Sequence, residues 1–575
     1  MNSWGAHSNY GDVIVMNNTV YGCSGVGIYK YGSKNLIAKN NLAYNNTTDF
    51  SGTFHASSTN NLSSDNTAPA YGTYYRNASV SFLDPDNNDF RLLPTDTGAK
   101  DKGIEETDSS IDLESLQSDI AGNERYDGYW DIGAFEAPTI LYRSVGNDQS
   151  NLAGDGNTVT IASSTAVFAN ALPANVGVGD VIQYGQSGAY QLAFITGRSS
   201  STEYAVQART GALPSATSTA PAQVFRAHEF LDDWEDQVVA DVNDGIDDSV
   251  DDLVLIPNLD LAASNTAMFV PCYASTSPDN LSTTIDGWTT ATTSYVKVYT
   301  PVSVSEVGES QRHAGKWDEG KYRLALNNYD ALIIQDNFIR IDGLQIAVPQ
   351  IDSYYDNPLD VNTLNSNNYI VISANVIKGE NGASGNGQVG ININDQSAIV
   401  LLDNNVIYGI GQNNDNYKGI AITNCSNAQI YNNTVSGAQA GIKIIADLAS
   451  ATNNVLFDNI YDFFGNFLIL DHNASDDATG TNAVDLSPAR FATEAAAWKA
   501  AFVDYENYDF RVRDISSVLY DAGASISLVT DDIIGNTRPK GDHYDIGAFE
   551  YAGQRPKFRL SPGSTFKLKG FLQLK

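Results

Sequence analysis

An Asn-Asn pair followed by a short alternating strand recurs along this chain. It appears as NNTVYG from Asn17, NNLAYN from Asn40 and NNLSSD from Asn60, at steps of 23 and 20 residues. Further on, SANVIKG, NNVIYG, NNTVSG and NNVLFD place Asn375, Asn405, Asn433 and Asn454 at steps of 30, 28 and 21. A second marker travels with the first: Gly390, Gly419 and Gly441, in VGININ, KGIAIT and AGIKII, precede the last three of those asparagines by 15, 14 and 13 residues. A β-type period of roughly 20–30 residues predicts a solenoid whose coils each contribute short parallel strands. One coil cannot bury its apolar face alone, so stacked neighbours must supply the core. Asparagine suits the corners because it tolerates left-handed backbone, and its amide can bond from coil to coil.

These repeats resemble those of right-handed parallel β-helix proteins, the broad group that includes pectate-lyase-like enzymes, phage tailspikes and many bacterial surface proteins. The resemblance covers Asp12 to about Asn66 and about Tyr322 to His472. It implies the fold and is nearly silent on activity, because that fold hosts lyases, hydrolases and inert scaffolds alike.

One closing pattern is written twice. NDFRLLP, AKDKGI, SDIAGNER and WDIGAFE end the first repeat region; YDFRVRD, LYDAGA, DDIIGNTR and YDIGAFE end the second. Asp131 and Asp545 lie 414 positions apart. The order resembles the terminal segment of many secreted β-helix proteins. An open last coil exposes unpaired backbone and apolar surface. The pattern is therefore expected to cap each solenoid through a buried network of Asp131, Arg125 and Asn123 in one copy and Asp545, Arg538 and Asn536 in the other. A catalytic or calcium-binding role for the same residues is the rival reading.

The expected organisation is all-β: two right-handed parallel β-helix units separated by a small all-β module. Residues 1–137 form the C-terminal part of a first β-helix with its ending, entered part-way through a solenoid. Residues 138–226 form the small module, from short strands such as GDVIQYG and YQLAFITG with Gly-rich turns. Residues 227–552 form a complete second β-helix with an acidic N-terminal cap, HEFLDDWEDQVVADVNDGIDDSVDD, and an ending. No Lys or Arg occurs between Arg226 and Lys297. Residues 553–575 form a basic tail carrying Arg555, Lys557, Arg559, Lys567, Lys569 and Lys575 without an acid.

Charge narrows the partners. With 33 Lys and Arg against 68 Asp and Glu, the net charge of −35 excludes a polyphosphate partner and disfavours anionic membranes. No run approaches the ~18–20 apolar residues of a transmembrane helix. The N-terminus lacks the basic flank and apolar core of an export signal. Three scattered cysteines, Cys23, Cys272 and Cys425, form neither a disulfide framework nor a zinc site and are expected as buried thiols. No HExxH or GxSxG motif occurs.

Chemistry on this fold needs bases and carboxylates on one outward sheet face. Candidates are Asp403, Tyr408, Asp415, Lys418 and Lys443 in the second helix, and Tyr29, Lys30 and Lys39 in the first; no family motif maps onto them. DVNDGIDD is one residue short of a calcium-loop spacing, which makes Asp241, Asn243, Asp244 and Asp247 the calcium candidates. No other cofactor is indicated. Arg312, His313, Lys316, Lys321 and Arg323 form the one basic concentration in the acidic body, read as ion pairing with the acidic cap, with a grip on an anionic sugar as the alternative. In STFKLKG, Phe566 and Leu568 alternate with Lys567 and Lys569, a half-buried strand pattern suited to assembly. The strand's expected partner is an acidic cell-surface component or the open N-terminal coil of a neighbouring copy, giving a homopolymer; the alternative is an edge strand packed on the chain's own cap. The functional expectation is an extracellular or cell-surface scaffold or adhesin that self-assembles as a fibre and binds glycans. A polysaccharide lyase or glycoside hydrolase of pectate-lyase-like type is the alternative.

Overall fold

A computed structural model of the chain describes residues 13–106, 118–123, 125, 130–348, 356–362, 369–379, 387–395, 398–445 and 449–553. The later repeats wind into three long parallel sheets. A seven-stranded sheet runs from Thr283–Ile285 to Tyr461–Gly465, and an eight-stranded sheet from Leu324–Ala325 to Val484–Asp485. A nine-stranded sheet runs from Thr139–Tyr142 to Ile469–Asp471. Each coil gives one strand to each sheet, as Lys418–Asn424, Asn427–Tyr431 and Thr434–Ala438 do in succession. The fold is the right-handed parallel β-helix.

Alternation sorts the side chains. Ile391, Ile420 and Ile442 stack inward in register on the seven-stranded sheet; Ile377, Ile407, Val435 and Leu456 do so on the eight-stranded one. Burying each aliphatic side chain contributes about 2 kcal/mol. The two asparagines of each pair divide the corner's work. The first adopts the left-handed conformation, with φ of 52° at Asn40, 54° at Asn404 and Asn432, and 60° at Asn453. The second joins a buried amide ladder. Asn375, Asn405, Asn433 and Asn454 each donate from Nδ2 to the Oδ1 of the next asparagine at 3.0 Å, ending on Asn473. Asn18, Asn41 and Asn61 repeat it in the first unit.

The first unit carries the same three-sheet plan over few coils, such as Thr19–Tyr21, Leu42–Tyr44 and Asn61–Ser63 on one face. The second solenoid begins earlier than its sequence suggests. Thr139–Tyr142, assigned from sequence to the small module, pairs in parallel with Thr266–Pro271 and leads the nine-stranded sheet. The module itself, from Thr158–Ala162 to Thr217–Phe225, is a closed six-stranded antiparallel barrel inserted between those two strands. A hydrophobic run in a lone four-residue strand looks alike in either setting; only the long-range partner decides. The acidic segment does reach the first coil. Helix Leu231–Asp236 buries Leu231 and Trp234, and the Trp234 ring stacks on Trp288 at 5.2 Å. Its other apolar residues, Val242, Ile246 and Val250, pack against the barrel's Val181 and Phe194.

The duplicated ending takes a different place from the one expected. It lies along the side of each solenoid, against the left-handed asparagines, rather than across the last coil. Asn453 Nδ2 donates to Ala524 O (2.7 Å), Asn432 Nδ2 to Asp545 O (3.1 Å) and Asn404 Nδ2 to Asp531 O (2.8 Å), so one segment clasps three coils. The cause is the outward face of the eight-stranded sheet. Val406, Tyr408, Val455 and Phe457 point outward there and are apolar, and the ending covers them with Phe502, Phe510, Ile546 and Phe549.

Candidate functional site: the outward face of the seven-stranded sheet

Two of the three outward faces are already engaged. The eight-stranded face lies under the ending, with Tyr408 stacked on Tyr508 at 4.4 Å. On the nine-stranded face the cations have partners: Lys297 and Arg312 hold Asp342 at 2.9 and 2.7 Å, and Arg340 lies 3.8 Å over the Tyr295 ring. Asp403 sits in the same register column, two coils above Asp342. It is buried, accepts from Ser373 Oγ and from Asn404 Nδ2 (3.0 Å), and burial pushes its carboxyl up to about 7.

The seven-stranded face is open and mixed in chemistry. In register across its strands run Asp360, Asn392, Ala421, Lys443 and Phe464, spaced by about 4.8 Å. Beside that row, Lys418 aligns with Ala440 and Tyr461. Asp415, Gln439, Ala440, Lys443, Tyr461 and Phe464 line a shallow depression of about 100 Å³. That is well below the ~300 Å³ of a small-molecule pocket, so the surface suits contact along a polymer. Tyr461 and Phe464 are half exposed, and the Lys443 ammonium lies 5.2 Å over the Phe464 ring. Among the described residues neither Lys418 nor Lys443 forms an ion pair. Burial first, and the charge of Lys443 second, lower the Lys418 ammonium below its usual range. Asp415, Lys418 and Lys443, all singled out in the sequence, thus share one face, while Asp403 and Tyr408 belong to the other two. The aromatic pair was missed: its signal was YDFFG, an aromatic strand at the last marked coil.

The remaining candidates are dispersed. Tyr29 is exposed beside Tyr31, Lys30 donates to Gly32 O, and Lys39 pairs with Glu106 at 2.5 Å. The basic run pairs locally, not with the acidic cap: Arg312 with Asp342, Arg323 with Glu319 (2.9 Å), and Lys321 with Ser310 O (2.6 Å). Lys316 is exposed, and His313 is buried with its ring lowered to about 3 by that burial. The calcium candidates do not converge. Asn243 Oδ1 accepts from Gly245 N and Asp247 Oδ1 from Ser249 N, while Asp244 meets Gln149 and Asp241 uses its backbone carbonyl on His228. Among the described residues no three His, Cys, Asp or Glu side chains group as metal ligands. Cys272 is buried, whereas Cys23 and Cys425 are only half-buried. Phe566, Lys567, Leu568 and Lys569 lie outside the described residues.

The ending residues form two copies of one network. Asp131 accepts from Asp101 N (2.7 Å) and Ala137 N (2.6 Å); Asp545 accepts from Asp521 N (2.6 Å) and Tyr551 N (2.7 Å). The arginines pair with glutamates, not with these aspartates: Arg125 with Glu136, and Arg538 with Glu550 at 2.9 Å. Asp119 and Asp532 complete it by accepting from Asn123 N and Asn536 N at 2.8 and 2.7 Å. Glu136 and Glu550 are the final letters of the two DIGAFE strings, a signal present in the repeat itself. Both carboxylate oxygens of Asp131 and of Asp545 are thus turned toward backbone amides inside the clasp. A larger cleft of about 150 Å³ where the first ending meets the second solenoid offers one cation, Arg91, and that is spent on Asp89 at 2.6 Å.

No protein-family profile matches the chain, and no curated protein matches it. Among solved structures it is similar to pectate lyase Pel9A, at 14% identity and a TM-score of 0.27, over 50% of this chain and 89% of that one.

Proposed function

We propose that this chain is an extracellular or cell-surface β-helix scaffold that binds a neutral glycan along the outward face of the seven-stranded sheet. The observation that carries the reading is the exposed pair Tyr461 and Phe464 beside the unpaired Lys443, with Gln439 and Asp415 at the same depression. Aromatic faces stack on the apolar sides of sugar rings, while amide, ammonium and carboxylate groups bond the hydroxyls. A body at −35 repels polyanions, so an uncharged polymer meets the least electrostatic opposition. Removing both rings in a Tyr461→Ala, Phe464→Ala variant is expected to weaken glycan binding about tenfold or more, read by calorimetry on neutral polysaccharides. Unchanged affinity in that variant would sink the reading.

A second reading rests on Lys418. A lysine with a lowered pKa beside Asp415 has the makings of a general base, as proton abstraction next to a uronate carboxyl requires. A polysaccharide lyase of this design releases unsaturated ends, visible as ultraviolet absorbance, and Lys418→Met abolishes them. Absence of such products from a panel of acidic glycans, with and without calcium, eliminates it.

A further inference from the structure

The coil that carries Tyr461 and Phe464 has a counterpart in the first unit, bond by bond. Asn46 Nδ2 donates to Asp49 Oδ1 at 2.8 Å in one, and Asn459 Nδ2 to Asp462 Oδ1 at 2.9 Å in the other. Gly27 and Gly441 lie against those asparagines, where a Cβ would come within 2.9 and 2.8 Å of the Asp49 and Asp462 carbonyls. Phe50 meets Phe54 edge-on at 5.9 Å, and Phe463 meets Phe467 edge-on at 5.6 Å. Strand pairing fixes the alignment. Ile28 beside Phe50 and Tyr29 beside Ser51 match Ile442 beside Phe463 and Lys443 beside Phe464. Val26–Tyr29 and Thr48–Ser51 therefore present the same outward face as the candidate glycan site.

That face carries an aromatic pair in both units. In the first unit the coil's interior is sealed: Thr67 Oγ1 accepts from Phe50 N (2.9 Å), and Ala68 packs with the buried Phe50 and Phe54. Tyr29 and Tyr31 stay outside the seal, at 52% and 85% exposure, with ring centroids 6.1 Å apart and planes tilted by 35°. Ser51, next in the column of Tyr29, is too small to cover the ring. In the second unit the ring of the same column, Phe464, stands on the later strand, and Lys443 takes the place of Tyr29. The cations near the tyrosines are already engaged: Lys30 Nζ donates to Gly32 O, and Lys39 pairs with Glu106. Residues 13–66 hold three lysines against two aspartates, so this end lacks the acidity of the whole body.

We propose that Tyr29 and Tyr31 form a second glycan-binding platform, so that each chain holds two neutral glycan segments, one on each solenoid. The ligand class rests on the reading of the Tyr461 and Phe464 face; the site rests on its own exposed rings. Two neighbouring tyrosines offer consecutive stacking faces for the apolar sides of sugar rings, and their hydroxyls bond to sugar hydroxyls. A near-neutral surface with its nearest cations engaged favours an uncharged chain over a polyanion.

Calorimetry of the full-length chain with cellohexaose, xylohexaose and mannohexaose tests this. The hexasaccharide that binds best is expected to saturate at two per chain. A Tyr29→Ala, Tyr31→Ala variant, altered only at exposed side chains, is expected to saturate at one, with the remaining site within about twofold of its parent affinity. Saturation of the parent at one per chain, abolished by Tyr461→Ala, Phe464→Ala and untouched by the tyrosine variant, overturns the platform and leaves the other face standing. Saturation at one per chain, abolished by the tyrosine variant alone, supports the platform and removes the other face. Binding of none of these sugars overturns both.

Discussion

The two endings of this chain are built from the same bonds but sit on differently finished solenoids. In the first unit Arg125 pairs with Glu136, Gly133 N donates to Asn40 O (2.9 Å), and the last coil is sealed by Thr67 and Ala68. In the second, Arg538 pairs with Glu550, Gly547 N donates to Asn453 O (2.7 Å), and the last coil is open. Clasp and seal are therefore separate devices. The clasp fixes a segment along the corner asparagines and covers an apolar outward face. The seal is a matter of one loop, and its absence in the second unit leaves an apolar edge next to the candidate binding face.

The largest effect that sharpens this comparison is loss of a clasp arginine. Arg538 and Glu550 are both fully buried, so Arg538→Ala strands a carboxylate and is expected to cost about 3–5 kcal/mol in urea denaturation. Arg538 also donates to Asn404 Oδ1 at 3.0 Å, so Arg125→Ala, which breaks the pair with Glu136, is expected to cost less. Equal losses contradict the stated difference. Next comes the ladder: Asn433→Ala removes a buried amide bonded to Asn405 and Asn454 and orphans their partners, at about 3 kcal/mol. The seal ranks lower. Thr67→Val removes the bond to Phe50 N and is expected to cost about 1 kcal/mol, with faster exchange at Phe50 and none at Phe463.

Acid–base behaviour adds a pH dependence to the second unit. Burial and then Glu550 push Asp545 up to about 7, and burial pushes Asp403 to about 7. An acid raised in the folded state holds its proton longer there than in the unfolded chain. Each such group then favours folding at low pH and loses that contribution as pH rises from about 4 through about 7. The urea midpoint of the second unit is expected to fall over that window, and Asp545→Asn is expected to flatten the slope.

Much of the fold was legible because the solenoid writes its period into the chain. The paired asparagines announced both the corner and the ladder, and the alternation of Ile399 to Ile410 announced inside and outside. What the letters could not disclose was partnership at long range. Thr139–Tyr142 reads like any short strand, and only its pairing with Thr266–Pro271 makes it the first rung of the second solenoid. Arg312 opens a basic run that follows an acidic segment in sequence, yet its carboxylate partner in space is Asp342, one coil away. The site divided in the same way. Lys418 and Lys443 lie on adjacent strands of one sheet, but in different register columns, beside Ala440 and Ala421; the period placed the strands and not the columns. Tyr461 and Phe464 became functional candidates because they lie half exposed on the terminal strand of their sheet among the described residues.

The central claim is that the twice-written ending is a structural clasp held by the corner asparagines. Amide exchange at Gly133 and Gly547, measured in the parent chain and in Arg538→Ala, tests it most directly. Both amides are expected to be strongly protected in the parent, and the variant to lose protection at Gly547 while keeping it at Gly133. Rapid exchange at either glycine in the parent, or retained protection at Gly547 in the variant, would contradict the account.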